Sequence, residues 1–180
     1  MILCILKQYS IKATFFVIGS NAAKYPDRVK KIFDDGHEIG NHTYNHIMIN
    51  TYPKEIVAEE INKTSDIIFE ITGKRPVVFR PPGGAYNDSY VNMIINMGYR
   101  CVLWSVDTRD WSMPPVDKII VGVISDTTDG DVILFHDYNM KNSPTPKALK
   151  AVIPKLLARG YEFVTISELF ADCVEDADNR

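Results

Sequence analysis

Four short polar clusters carry the residue types that active-site chemistry needs: His42-Thr43-Tyr44-Asn45-His46, Arg80-Pro81-Pro82-Gly83-Gly84, Asp107-Thr108-Arg109-Asp110-Trp111 and Leu134-Phe135-His136. Two histidines four residues apart share a side if their segment turns helical, and imidazole is a standard zinc ligand. Arg80 follows the apolar Val77-Val78-Phe79. A guanidinium planted at a strand end can orient a carboxylate. The prolines fix the turn behind it, and the glycines let the backbone approach a ligand, so that the Gly83 N–H can face an oxyanion. Asp110 and His136 together read as an acid/base couple, since an aspartate on one ring nitrogen fixes the imidazole's orientation. The plain alternatives are a helix cap at Asp110 and a satisfied core histidine at 136.

Each cluster stands where an apolar, strand-like run stops. In parallel sheets and barrels the carboxyl ends of the strands share one face, and loops leaving that face carry the chemistry. The elements that would position the clusters follow from periodicity. Ile2, Ile5, Leu6 and Tyr9 have helical spacing, and Ala13 to Ile18 reads as a buried strand. Pro26 to Asp35 reads as a helix stopped by Gly36, and Glu38 to Asn41 as a short extended piece. A long helix is expected over Pro53 to Ile71, with Ile56, Val57, Ile61, Ile67, Ile68 and Ile71 as its apolar positions and Gly73 as its stop. Strands are expected at Val77 to Phe79, Cys101 to Val106, Val132 to Phe135 and Glu162 to Thr165. Helices are expected from Asn87 or Asp88 to Gly98, over Val116 to Ser125 and over Pro146 to Arg159. About six strands alternating with helices predict an α/β protein with a parallel sheet, either doubly wound or closed into a barrel.

The 180 residues, 46% apolar and 24% charged, fit one domain over 1–171 with a frayed polar end at 172–180. A net charge of −3 without a basic run excludes nucleic acid and anionic membranes as expected partners and leaves a neutral substrate. No apolar stretch reaches the length of a membrane span, and the first residues lack the basic lead of a signal peptide, so nothing in the chain as written exports it. Cys4, Cys101 and Cys173 are too far apart for a metal motif or a disulfide framework and read as buried thiols.

Taken in order, these segments resemble the polysaccharide deacetylases of carbohydrate esterase family 4, including peptidoglycan N-acetylglucosamine and chitin deacetylases, from about Met1 to Phe170. The likeness rests on Ala13-Thr14-Phe15-Phe16-Val17-Ile18-Gly19, on Gly36-His37-Glu38-Ile39-Gly40-Asn41 leading into the His42/His46 pair, and on the three later clusters. It implies a distorted (β/α) barrel and a divalent metal, commonly zinc, on His42, His46 and one aspartate. It implies further that Arg80 orients the catalytic base, that the Gly83 N–H holds the oxyanion, that Asp110 tunes His136, that His136 protonates the leaving amine, and that Trp111 and Leu134 wall the acetyl pocket. His37 is taken as structural. The substrate implied is an N-acetylated glycan, with peptidoglycan preferred, and members of the family are usually exported to the cell wall.

One motif of that family, Thr-Phe-Asp-Asp-Gly, supplies its base and its metal-binding aspartate, and no segment before Ala13 matches it. The chain is therefore expected to lack the first strand and part of the first helix, to expose an unpaired edge, and to show weak activity or none. Phe33-Asp34-Asp35-Gly36 imitates the motif but falls at the wrong end of its strand, about 20 Å away over six extended residues. Asp107 is the better substitute ligand. Alternatives to a deacetylase are a non-catalytic glycan-binding remnant and a hydrolase of small cyclic amides.

Overall fold

The computed structural model describes residues 1–137 and 142–171, which form two compact units. One unit takes Lys12–Leu103 and the described residues from Thr165 onward; the other takes Met1–Ile11 and Trp104–Val164.

In the first unit a four-stranded parallel sheet runs in the order β1 (Thr14–Val17), β2 (Glu38–Asn41), β3 (Val78–Phe79) and β4 (Arg100–Cys101). β1 stands at one end of this order. The helices between are α2 (Gly19–Lys24), α3 (Pro26–Asp34), α4 (Lys54–Thr72) and α5 (Asp88–Asn96). Their ends follow local chemistry. Pro26 starts α3, Gly73 closes α4 in the left-handed conformation at φ 73°, and the Asn87 side chain accepts the Tyr90 N–H to cap α5. The core holds Ile49, Val57, Ile61, Phe79, Ile94 and Tyr99, with Phe79 fully buried.

The second unit contains a two-stranded parallel sheet, β5 (Val106–Asp107) and β6 (Ile133–Leu134), with α1 (Ile2–Gln8), α6 (Val116–Asp126) and α7 (Thr145–Ala158). Val106, Ile119, Val123, Ala148, Val152 and Leu156 make its core. The α/β class and the parallel pairing thus agree with expectation.

Several boundaries differ from expectation. The strand expected over Cys101 to Val106 is two strands, β4 and β5, in separate sheets. Its middle is diverted: the carbonyls of Val102 and Leu103 accept from the Arg80 guanidinium, at 3.4 and 2.8 Å, and Ser105 exchanges bonds with the Val132 backbone. The strand expected at Glu162 to Thr165 is absent among the described residues. Thr165 instead caps a helical turn over 166–171, its N–H and hydroxyl both donating to Glu168 Oε2, an arrangement that its Thr-Ile-Ser-Glu sequence encodes. Ile56, expected on the apolar side of its helix, and Val77, expected to open a strand, are exposed, because α4 turns Val57 and Ile61 to the core and β3 begins only at Val78. Among the thiols Cys4 is exposed and Cys101 half-buried, both free, while Cys173 and the polar end 172–180 lie outside the described residues.

Candidate active site

Within each unit the polar clusters leave the carboxyl ends of neighbouring parallel strands. His42 follows β2 and Arg80 follows β3, whose ends are in register at Asn41 and Phe79. Asp110 follows β5 and His136 follows β6, paired at Asp107 and Leu134.

The segment holding His42 and His46 is not helical. Left-handed backbone brings the rings together instead: Thr43 sits at φ 61° and His46 at φ 57°, and the imidazoles meet edge to face with centroids 4.9 Å apart. Such conformations cost about 1–3 kcal/mol each and persist where the surroundings over-determine them. Here the buried Asn41 does so, its amide donating to the Ile61 carbonyl at 2.8 Å and its oxygen accepting the Thr43 N–H at 3.0 Å. The N–H groups of Gly19 and Ser20 then take the carbonyls of Thr43 and Tyr44, each at 2.9 Å. Gly19 must be glycine, since a Cβ there would lie 2.5 Å from Thr64 Oγ1 and 2.8 Å from the Tyr44 ring. Thr43 is fully buried, and its hydroxyl finds no partner among the described residues.

His42 Nδ1 lies 2.6 Å from the Arg80 carbonyl. A carbonyl only accepts, so Nδ1 carries the proton and donates, and Nε2 becomes the lone-pair nitrogen. Ring orientation by an outer carbonyl is the usual arrangement for a metal-binding imidazole. The pair therefore suits a divalent ion such as zinc as two of its ligands. Among the described residues, no group of three or more His, Cys, Asp or Glu side chains is placed to complete a set. Asp107, the substitute ligand considered from sequence, is engaged locally, accepting the Arg109 N–H at 2.9 Å. Asp34 and Asp35 pair with Lys30 and Lys31 along α3, as a solvated helix end should.

Arg80 is buried, with its guanidinium 4.1 Å from the centre of the Phe16 ring and bonded to the Val102 and Leu103 carbonyls. Burial pushes it down to about 10, so it stays charged at neutral pH. Behind it, Pro82 to Gly84 forms a single tight turn in which Gly83 has φ 63°; a Cβ there would meet the Met48 methyl at 2.8 Å. His37 is buried and accepts the Ala13 N–H, and desolvation, aided by Lys12, lowers its pKa, which fits a structural role.

In the other unit Asp110, 2% exposed, holds His136 twice: Oδ1 to the ring Nδ1 at 2.7 Å and Oδ2 to the backbone N–H at 2.8 Å. The Thr145 hydroxyl donates to Oδ2 at 2.5 Å. Burial by itself raises the Asp110 pKa; these hydrogen bonds and the His136 charge outweigh it and hold the carboxyl below its usual range. Asp110 is thus no helix cap, and His136 Nδ1 is the protonated nitrogen of its ring. Trp111, in the turn after Asp110, is half exposed between Arg109 and Met113, both left-handed. Leu134 is buried and its carbonyl accepts from Thr108. Two residues with supporting contacts were not foreseen, Thr145 and Glu60, whose carboxylate takes both the N–H and the side-chain amide of Asn45. Neither type nor spacing marks them, since one reads as a helix start and the other as a solvated charge.

A family model described as polysaccharide deacetylase matches residues 1–102. The chain is 41% identical over 170 residues to a peptidoglycan-N-acetylglucosamine deacetylase of Bacillus cereus, covering 93% of this chain and 79% of that protein. It is 36% identical over 167 residues to the peptidoglycan-N-acetylglucosamine deacetylase PgdA of Listeria monocytogenes, of which it spans only 34%. A peptidoglycan N-acetylglucosamine deacetylase solved with an N-oxidanyl-benzamide superposes with a TM-score of 0.90 at 36% identity, covering 93% of this chain and 79% of that one. A structure from Bacillus anthracis described as a CE4 family pseudoenzyme superposes at 0.88 and 32% identity, over 93% of this chain and 58% of that one, and a mutant of it is described as having restored enzymatic activity. In sequence, in fold and in the order of its polar clusters, this chain belongs to the polysaccharide deacetylase family.

Proposed function

We propose that this chain serves hydrolysis of the N-acetyl group of a glycan, with the N-acetylglucosamine of peptidoglycan as preferred substrate. The observation that carries the proposal is the Asp110–His136 couple, a buried carboxylate 2.7 Å from one ring nitrogen. It leaves Nε2 as the nitrogen that hands a proton to a departing amine, the step an amide most needs. His42 and His46 would hold a divalent ion, which when bound would supply polarisation of the acetyl oxygen and activation of water. The Gly83 N–H supports the oxyanion, Trp111 and Leu134 line the acetyl pocket, and the Arg80 guanidinium, braced by two carbonyls and Phe16, aligns a carboxylate base. With peptidoglycan as substrate, the place of action is the bacterial cell wall.

Residues 1–180 contain no Thr-Phe-Asp-Asp-Gly segment to supply that base. Loss of a general base costs about 10²- to 10⁴-fold in rate. The polypeptide of residues 1–180 is accordingly expected to deacetylate slowly, with zinc, and to lose the residual rate on His136→Ala. Acetate release from acetylated chito-oligosaccharide and from peptidoglycan measures this. An ordinary rate would refute the slow-turnover reading, and a residual rate indifferent to His136→Ala would refute the role of the couple.

A second reading, a glycan-binding remnant, is favoured by the want of a third metal ligand among the described residues. Glycan binding with no acetate release at any zinc concentration would select it.

A further inference from the structure

We infer that Glu60 is a positioning residue for the His42–His46 imidazole pair, an assignment that rests on the proposed role of those histidines. The loop between them is held differently along its length. Up to Tyr44 it is fixed by backbone bonds and by Asn41: His42 N–H to the Val17 carbonyl, Thr43 N–H to the Asn41 side-chain oxygen, and the N–H groups of Gly19 and Ser20 to the Thr43 and Tyr44 carbonyls. At Asn45 the grip passes to a side chain of α4. Glu60 Oε2 accepts the Asn45 N–H and Oε1 accepts the Asn45 Nδ2–H, both at 2.6 Å. A carboxylate taking two donors from one residue fixes that residue's orientation as well as its position, and charge-assisted bonds of this length are the strong kind. The next residue is His46, in left-handed backbone at φ 57°.

The source of the grip matters. Glu60 lies on α4 beside Ile61, whose carbonyl holds Asn41, and one turn before Thr64, which lies against Gly19; Lys63 of the same helix stands 3.6 Å from the centre of the Tyr44 ring. One rigid helix thus touches the loop at 41, 44 and 45, and Glu60 supplies its contact nearest His46. Half-exposed glutamates on helices are ordinarily solvated; this one accepts two donors from a loop it does not adjoin in sequence.

The consequence is readable without metal. In the metal-free chain, NMR should show cross-relaxation between the His42 and His46 rings, which meet edge to face. Glu60→Ala is expected to abolish it while the methyl signals of the Phe79 core stay in place. Glu60→Gln is expected to restore it, because Asn45 can rotate its amide to accept from the glutamine. Glu59→Ala, on the exposed neighbour, is expected to leave it unchanged. Cobalt titration of the same proteins then reads the effect on binding, expected to weaken about 10- to 100-fold in Glu60→Ala, as for other residues that orient metal ligands. Ring contacts that persist in Glu60→Ala would overturn the assignment. Should ring contacts vanish in Glu60→Ala while the unaltered chain binds no cobalt, the assignment stands and the metal reading falls.

Discussion

Asp110 shows how much one carboxylate can be asked to do. It is buried, it accepts from the ring and backbone of His136 and from Thr145, and those donors hold its pKa below the usual range against the opposing effect of burial. A depressed carboxylate contributes stability that is present above its unfolded value, near 4, and is lost as pH falls through its lower folded value. The stability gap between wild type and Asp110→Asn, measured by urea unfolding, should therefore be wide at pH 7 and narrow below about pH 4. A gap independent of pH would remove the carboxylate charge from the account. The same substitution should lower kcat about 10²- to 10⁴-fold, as loss of oriented proton transfer does. At this scale the sequence was informative where chemistry is written in residue type, at His42, His46, Arg80, Asp110 and His136. It was silent at Glu60 and Thr145, whose roles depend on what folding carries to them from 15 and 35 residues away.

Elements repeat that contrast. α4 was legible because apolar spacing and Gly73 both describe one helix, and β2 because a helix stop precedes it and a polar cluster follows. The break between β4 and β5 was not, because it depends on Arg80, a residue of another strand, capturing two carbonyls that a continuous strand would have used for pairing. Nor was the left-handed backbone at Thr43 and His46, which runs against the preference of a β-branched residue and is imposed by Asn41 and its neighbours. Phe79, fully buried in β3 and set edge to face on Tyr99, is the element-scale anchor that places Arg80 one residue beyond it. Phe79→Ala should cost about 3–5 kcal/mol in denaturant unfolding, whereas Asn87→Ala, which removes only the cap of α5, should cost about 1 kcal/mol. Comparable losses at the two sites would contradict this account of the core.

For the whole molecule, the metal proposal predicts linkage. An ion that binds the folded chain at 100 times its dissociation constant adds about 2.7 kcal/mol of stability. Zinc or cobalt should therefore raise the midpoint of thermal unfolding, a chelator should reverse the rise, and His42→Ala should abolish it; a midpoint indifferent to metal would leave the histidine pair without its proposed ligand. The family model, matching 1–102, stops close to Leu103, where the larger unit gives way to the smaller. Similarity of the full chain to known deacetylases extends well past that point.

Neither unit is a contiguous stretch of chain. The smaller one takes α1 from the very start and packs it with α7, while in the larger one Thr14 and Glu38 bond to Ile166 and Ser167. During synthesis α1 leaves the ribosome long before α7, and Thr14 and Glu38 long before Ile166 and Ser167. Pairings so distant in sequence fold slowly and leave apolar faces uncovered meanwhile, so newly made chains should lean on holding chaperones until α7 and the segment at 166–171 have emerged.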